Sequence, residues 1–99
     1  MNTENWKVTI HRRATKQIRQ LPVKTQKSLY LLVKSLELDG PNAGKQWKNF
    51  GKLRNCSAEI YHCHLSKGRP RYVCCWELKN KALKLLEILY VGTHEKAPY

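Results

Sequence analysis

Acidic side chains are the scarce ingredient of this sequence. Seven Asp and Glu stand against nineteen Lys and Arg in 99 residues, a formal charge of +12 on 11.6 kDa. None falls between Glu4 and Glu37, between Asp39 and Glu59, or between Glu59 and Glu77. Such an excess goes beyond what solubility requires, because it also strains the compact state by self-repulsion. It points to a polyanionic partner, RNA or DNA, ahead of an acidic protein or an anionic membrane. Long apolar runs are missing too. Nothing approaches the roughly 20 residues that span a bilayer, and the opening MNTENWK lacks the apolar core of a signal peptide. A soluble, cytoplasmic protein with no membrane partner is expected. Paired Cys-x-x-Cys and His-Glu-x-x-His spacings are likewise missing, which argues against a zinc site or another metal. Cys56, Cys63, Cys74 and Cys75 are expected as free thiols, since the adjacent pair would point to opposite faces of a strand. With no repeat or low-complexity tract, residues 1–99 read as one domain with one core.

What is there is ordered by period. Trp6, Val8 and Ile10 alternate with Lys7 and Thr9, a short strand with one buried face. In HRRATKQIRQLP the spacing turns helical, with Ala14, Ile18 and Leu21 on one stripe and Arg12, Lys16 and Arg19 on another. Pro22 ends this helix and opens the next. Leu29, Val33 and Leu36, joined by Tyr30 and Leu32, carry the pattern on to GPNAG at 40–44. Strand alternation then returns over residues 59–65 and 71–78, linked by an SKGRP turn. A second turn at Lys79, Asn80 and Lys81 leads to an interior strand over 83–91, apolar on both faces. The expected fold is α+β in the order β-α-α-β-β-β: two antiparallel helices on one face of a small, mostly antiparallel twisted sheet. If the helices cover Tyr61, Cys63, Tyr72, Cys74 and Trp76, then His62, His64, Arg71 and Cys75 lie on an uncovered face.

That face holds the candidate chemistry. His62 and His64, two apart on a strand, point the same way, and an imidazole pKa of about 6.5 allows one to accept a proton and another to donate one near neutrality. After Gly92 the tail brings Thr93, His94, Glu95 and Tyr99 toward the sheet edge. RNA cleavage needs a base for a 2′-hydroxyl proton, cations for the phosphate and an acid for the departing 5′-oxygen. His62, His64, His94, Tyr99 and Arg71 can fill those roles without metal or cofactor; Tyr99 can also stack on a base. Lys52, Arg54, Lys67 and Arg69 are the expected phosphate contacts, with Arg69 and Arg71 bracketing the stiffening Pro70.

Several features together resemble the RelE/ParE superfamily of bacterial toxins. These are the element order, the opening W-x-V-x-I with its A-x-K-x-I-x-x-L-P helix, KLR at 52–54, the Tyr61 strand, RYVCCWEL and the closing YVGTHEKAPY. The likeness spans nearly the whole chain. It implies a type II toxin bound by a cognate antitoxin. RelE-like members cut mRNA in the ribosomal decoding site without a metal, whereas ParE-like members act on DNA gyrase. RelE-like toxins carry basic side chains where this chain has His62 and His64, and an arginine where Val73 follows Tyr72. His94 corresponds to the arginine or histidine after the last strand, and Tyr99 to the tyrosine near the end. The GTH segment with a nearby Tyr is similar to the HigB pattern. Imidazoles in place of fixed cations give up permanent charge but are better acid/base groups at neutral pH. The expectation is therefore a RelE/HigB-like mRNA endonuclease with ribosome, mRNA and antitoxin as partners. The alternatives are a gyrase inhibitor or a non-catalytic nucleic-acid-binding member of the fold.

Overall fold

The computed structural model describes residues 5–54 and 56–99. Five strands, β1 (Lys7–Ile10), β2 (Gly51–Lys52), β3 (Ile60–His64), β4 (Tyr72–Asn80) and β5 (Leu85–Thr93), form one sheet in the order β1-β5-β4-β3-β2. β1 runs parallel to β5 and the other pairs are antiparallel. Two helices, α1 (Arg12–Arg19) and α2 (Val23–Asp39), follow β1, and 3₁₀ turns occupy Pro41–Gln46 and His94–Lys96. The sequence reading misses β2, whose two residues are too few to show a period, and the 3₁₀ turns.

Local chemistry explains where the helices begin and end. His11 caps α1, its ring Nδ1 accepting from the backbone N–H of Arg13 at 3.1 Å. Lys16 and Arg19 in the last turn complement the helix dipole. One side chain ties the end of α1 to α2: Gln26 Nε2 donates to the carbonyls of Ile18 and Leu21, each at 3.1 Å, the Ile18 carbonyl also accepting from Leu21 N–H. That amide locks the α1–α2 hairpin at Pro22, which caps α2. α2 buries Thr25, Leu29, Leu32 and Leu36. Tyr30 departs from the expected stripe, being 61% exposed, because it lies about 100° round the helix past Leu29, off the single row of Thr25, Leu29, Leu32 and Leu36.

Gly40 ends α2 at φ 84°, in the left-handed region, and its N–H donates to Leu36. A side chain there would collide with the Trp6 indole, with a Cβ 2.7 Å from the ring. Trp6 is held in turn by its N–H to Glu37 at 2.8 Å, which ties the start of β1 to the end of α2.

The helices cover one sheet face, where Tyr61, Cys63, Cys74, Trp76, Leu86, Ile88 and Val91 pack against Ala14, Leu29, Leu32 and Leu36. Trp76 is wholly buried and donates its indole N–H to Pro41 at 3.1 Å. Tyr61 lies nearly parallel to it, centroids 6.2 Å apart, and Phe50 completes an aromatic triad. Ile10 is 42% exposed at the end of the edge strand β1, against the expectation of a buried face reaching that far. The second turn is also displaced: β4 runs through Asn80, whose Oδ1 accepts from Leu83 N–H at 2.9 Å and shapes a turn ending at Lys84.

The second face is not open, which corrects the sequence expectation for Cys75. Cys75 and Val73 are wholly buried, although the helices lie on the other side. After β5 the chain crosses back over β4, so that Tyr99 stacks on His62 of β3. Alternation along a strand assigns a residue to a face; it does not show that a distant segment will cover that face.

Gly40→Ala combines a positive φ with the collision against Trp6, so it is expected to cost about 1–3 kcal/mol. Urea denaturation followed by tryptophan fluorescence measures this, and wild-type stability in the variant would refute the account.

Candidate functional site

Four rings from three segments meet on the second face. His62 and His64 come from β3, His94 from the 3₁₀ turn after β5, and Tyr99 from beyond it. The rings of His62 and Tyr99 stack at 4.4 Å between centroids with 23° between planes. His94 stands edge-on to both His64, at 5.3 Å, and Tyr99, at 6.0 Å.

Small residues make this packing possible. Gly51 pairs with His62 in the β2–β3 ladder, and a Cβ on it would lie 2.9 Å from His62 Nε2. The imidazole therefore rests on bare backbone, with Tyr99 above. Gly92 plays the same part for Tyr90: a Cβ there would meet the phenol oxygen at 2.7 Å. That hydroxyl donates to the Thr93 carbonyl at 2.7 Å, just where the chain leaves β5. The His94 N–H then donates to the Arg71 carbonyl at 2.8 Å, pinning the tail to the start of β4. Gln17 Oε1 accepts from Val91 N–H at 2.9 Å and holds the outer edge of β5 beyond the reach of β1.

Burial sets the protonation. It pushes His62 below the usual histidine value, and His94 adds to the shift. His64 is lowered by burial first, then by His94, Arg71 and His62. Arg71 thus supplies positive charge to His64 from outside the strand, while the direct cross-strand partner of His64 is the buried Val73. The Tyr99 phenol is pushed up to about 12, chiefly by burial, so it stays protonated and can donate at neutral pH. His62 Nδ1 is buried and has no hydrogen-bond partner among the described residues, leaving one nitrogen of the cluster uncommitted. The buried thiols are poor nucleophiles: Cys63 and Cys75 are each raised to about 12 and Cys74 well above its ordinary value, all mainly by burial. All four cysteines are free.

The expected cations divide into groups. Arg69 and Arg71 line a cleft of about 270 Å³ with Thr93, His94 and Glu95, next to the imidazoles. Arg54 lines a separate groove that also includes Tyr99. Lys52 lies apart, its Nζ 3.9 Å from Glu59 and 5.9 Å from the Tyr61 ring centroid. Lys67 lines a hollow beside the start of α2 with Lys24 and Thr25. Among the described residues no group of three or more His, Cys, Asp or Glu side chains is disposed to hold a metal ion. Sequence reasoning missed Tyr90 and Gln17, which position the tail and the last strand; the glycine two residues after Tyr90 was the available signal for the first.

Two predictions follow from this geometry. Because folding lowers the pKa of His62 and His64, the unfolded chain takes up protons first as pH falls. Stability from their neutral packing is therefore fully present above the ordinary value of 6.5 and declines below it. Thermal melts between pH 8 and 5 should show that decline, and a His62→Asn/His64→Asn variant should flatten it. Gly51→Ala should push the His62 ring off its seat while costing less than about 1 kcal/mol, since a side-chain tip can yield. NMR titration should then show the His62 pKa returning toward 6.5; an unaltered titration would contradict the seating.

No protein-family model matches the chain, and no curated sequence is similar enough to count as a match. Solved structures do match. A chain of the archaeal RelE-RelB complex from Pyrococcus horikoshii OT3 superposes with a TM-score of 0.73 at 20% identity, over 93% of this chain and 98% of that one. A metal-bound toxin from Helicobacter pylori gives 0.61 at 12% identity, over 92% and 97%. At such identities the likeness is one of architecture, and on that ground the chain has the RelE-like α+β toxin fold.

Proposed function

We propose that this protein is the toxin of a type II toxin–antitoxin pair and acts as a metal-independent endoribonuclease that cuts mRNA on the ribosome, inhibiting translation. The observation that carries the reading is the meeting of His62, His64, His94 and Tyr99 beside a cleft lined by Arg69 and Arg71. The fold shared with a RelE chain solved in complex with RelB supports both the toxin assignment and an antitoxin partner.

The residues suit an internal displacement at phosphorus. His64, held neutral, takes the proton from a 2′-hydroxyl. The 2′-oxygen forms a bond to the adjacent phosphorus as the bond from phosphorus to the 5′-oxygen breaks. His94, exposed in the cleft, gives a proton to that departing oxygen. The products are a 2′,3′-cyclic phosphate and a 5′-hydroxyl, with no water consumed. Arg69 and Arg71 hold the charge on the non-bridging oxygens. Tyr99, stacked on His62, keeps that ring in place and offers a protonated phenol beside it. Imidazoles carry both proton transfers, so the scheme needs no cofactor.

Wild-type protein added to a translating extract should produce mRNA breaks with cyclic-phosphate ends. His94→Ala should reduce the cleavage rate by at least about a hundredfold, the usual scale of one acid/base group. Intact mRNA together with arrested DNA supercoiling would instead support a gyrase inhibitor and end the nuclease reading.

A further inference from the structure

A groove of about 710 Å³ lies on the second face beyond Tyr99, toward the first turn of α1. Arg13, Gln17, Arg54, Leu89, Tyr90 and Tyr99 are among its walls. Three features make it more than a surface hollow. Its mouth is cationic: no Asp or Glu side chain lines it, and neither Arg13 nor Arg54 makes a side-chain ion pair among the described residues. Its interior is apolar and aromatic, with Leu89 at the β-bulge between Cys75 and Trp76 and the Tyr90 ring fixed by its bond to Thr93. Finally, Gln17 has a determined orientation. Its oxygen must face the Val91 N–H, so its amide nitrogen is the free end, and that nitrogen makes no hydrogen bond among the described residues.

We infer that this groove is a subsite for a nucleotide of single-stranded RNA flanking the cut, with its base against Tyr90 and Leu89 and its phosphates on Arg13 and Arg54. The inference rests on the nuclease reading above and extends it. Charge complementarity selects the polyanion, because a basic rim without Asp or Glu side chains attracts phosphate. Flat rings and an apolar floor accept a nucleobase of any identity, since every base presents a π-face. The Gln17 amide can donate to a base carbonyl, adding a preference that stacking alone lacks. Continuity comes from Tyr99, which stacks on His62 of the catalytic cluster and also walls the groove. A strand whose reacting phosphate lies at Arg71 and His94 would thus pass Tyr99 and enter here.

Fluorescence anisotropy with a labelled single-stranded 2′-O-methyl hexaribonucleotide, which lacks the attacking hydroxyl and cannot be cut, tests this directly. Leu89→Glu puts a carboxylate on the groove floor and should weaken binding about tenfold, the scale of one lost stacking contact. Arg13→Ala should lower the slope of log affinity against log salt by about 0.7, one phosphate contact on single-stranded nucleic acid. Lys27→Ala, at an exposed position of α2 that lines a different hollow, should change neither. If Leu89→Glu does not fold, the salt slope of Arg13→Ala decides, because that position is an exposed helix site. Wild-type affinity and slope in the groove variants would overturn the subsite and leave the groove to a polypeptide such as the antitoxin; no hexamer binding by the wild type would also overturn it. Cut mRNA alongside unaltered hexamer binding removes the subsite and keeps the nuclease. Groove-dependent binding by a protein that leaves mRNA whole removes the nuclease and keeps the subsite.

Discussion

The backbone N–H of His94 donates to the carbonyl of Arg71 at 2.8 Å, one step past the last ladder pair of β4 and β5, Tyr72 with Thr93. A chain leaving a sheet in extended conformation would carry its side chains away from it. Here the bond holds the first residue of the 3₁₀ turn at the corner, and the tail turns across the sheet instead of continuing outward. Everything on the second face depends on that return. It brings His94 beside His64 and lays Tyr99 on His62, on the face that carries the buried Cys75. Thr93 contributes its carbonyl to Tyr90, so the corner is fixed from both sides.

Electrostatics and packing act together at this corner. A fixed cation under Tyr99 would carry a large desolvation cost, whereas a neutral imidazole is accommodated and retains proton affinity. Burial lowers His62 and His64 in the same direction as the surrounding positive charge does. In a chain with so few carboxylates, local neutrality cannot come from ion pairs, and titratable rings that shed their charge provide it. The exceptions are telling: the carboxylates of Glu77 and Glu87 share one lysine, Lys79, on the same face, away from the histidines.

Much of this architecture was legible in the sequence. Two-residue alternation marked β3 and β4, the Ala14–Ile18–Leu21 stripe marked α1, and Gly40 with Pro41 marked the end of α2, because each rests on local sterics and one-sided burial. The convergence of His62, His64 and His94 followed from parity and strand order. What escaped was set at long range. Nothing within five residues of Cys75 reveals that Tyr99 will roof that face, and nothing near Tyr30 reveals which side of α2 lacks a partner. Gly92 marks the end of the last strand in the sequence and Gly51 carries no signal there, yet in the fold each is a seat for a ring. Arg71 stands beside His64, two residues before the buried Val73, the position at which the resemblance to RelE-like toxins leads one to expect an arginine.

The parallel pairing of β1 with β5 has a kinetic side. Thr9 Oγ1 reaches the Leu86 carbonyl across 77 positions of sequence, and β5 is the strand from which the histidine-bearing tail departs. Contacts that span so much chain form after local ones, because loop-closure entropy must be met before they yield any gain. The helical hairpin, closed by Gln26, can assemble early and alone. The ring cluster needs more: β3, β4 and β5 must be paired and the His94–Arg71 backbone bond made before His62, His64, His94 and Tyr99 meet. The cluster is in this sense a property of the finished sheet: a chain in which β4 and β5 have not paired keeps its positive charge but has no assembled rings.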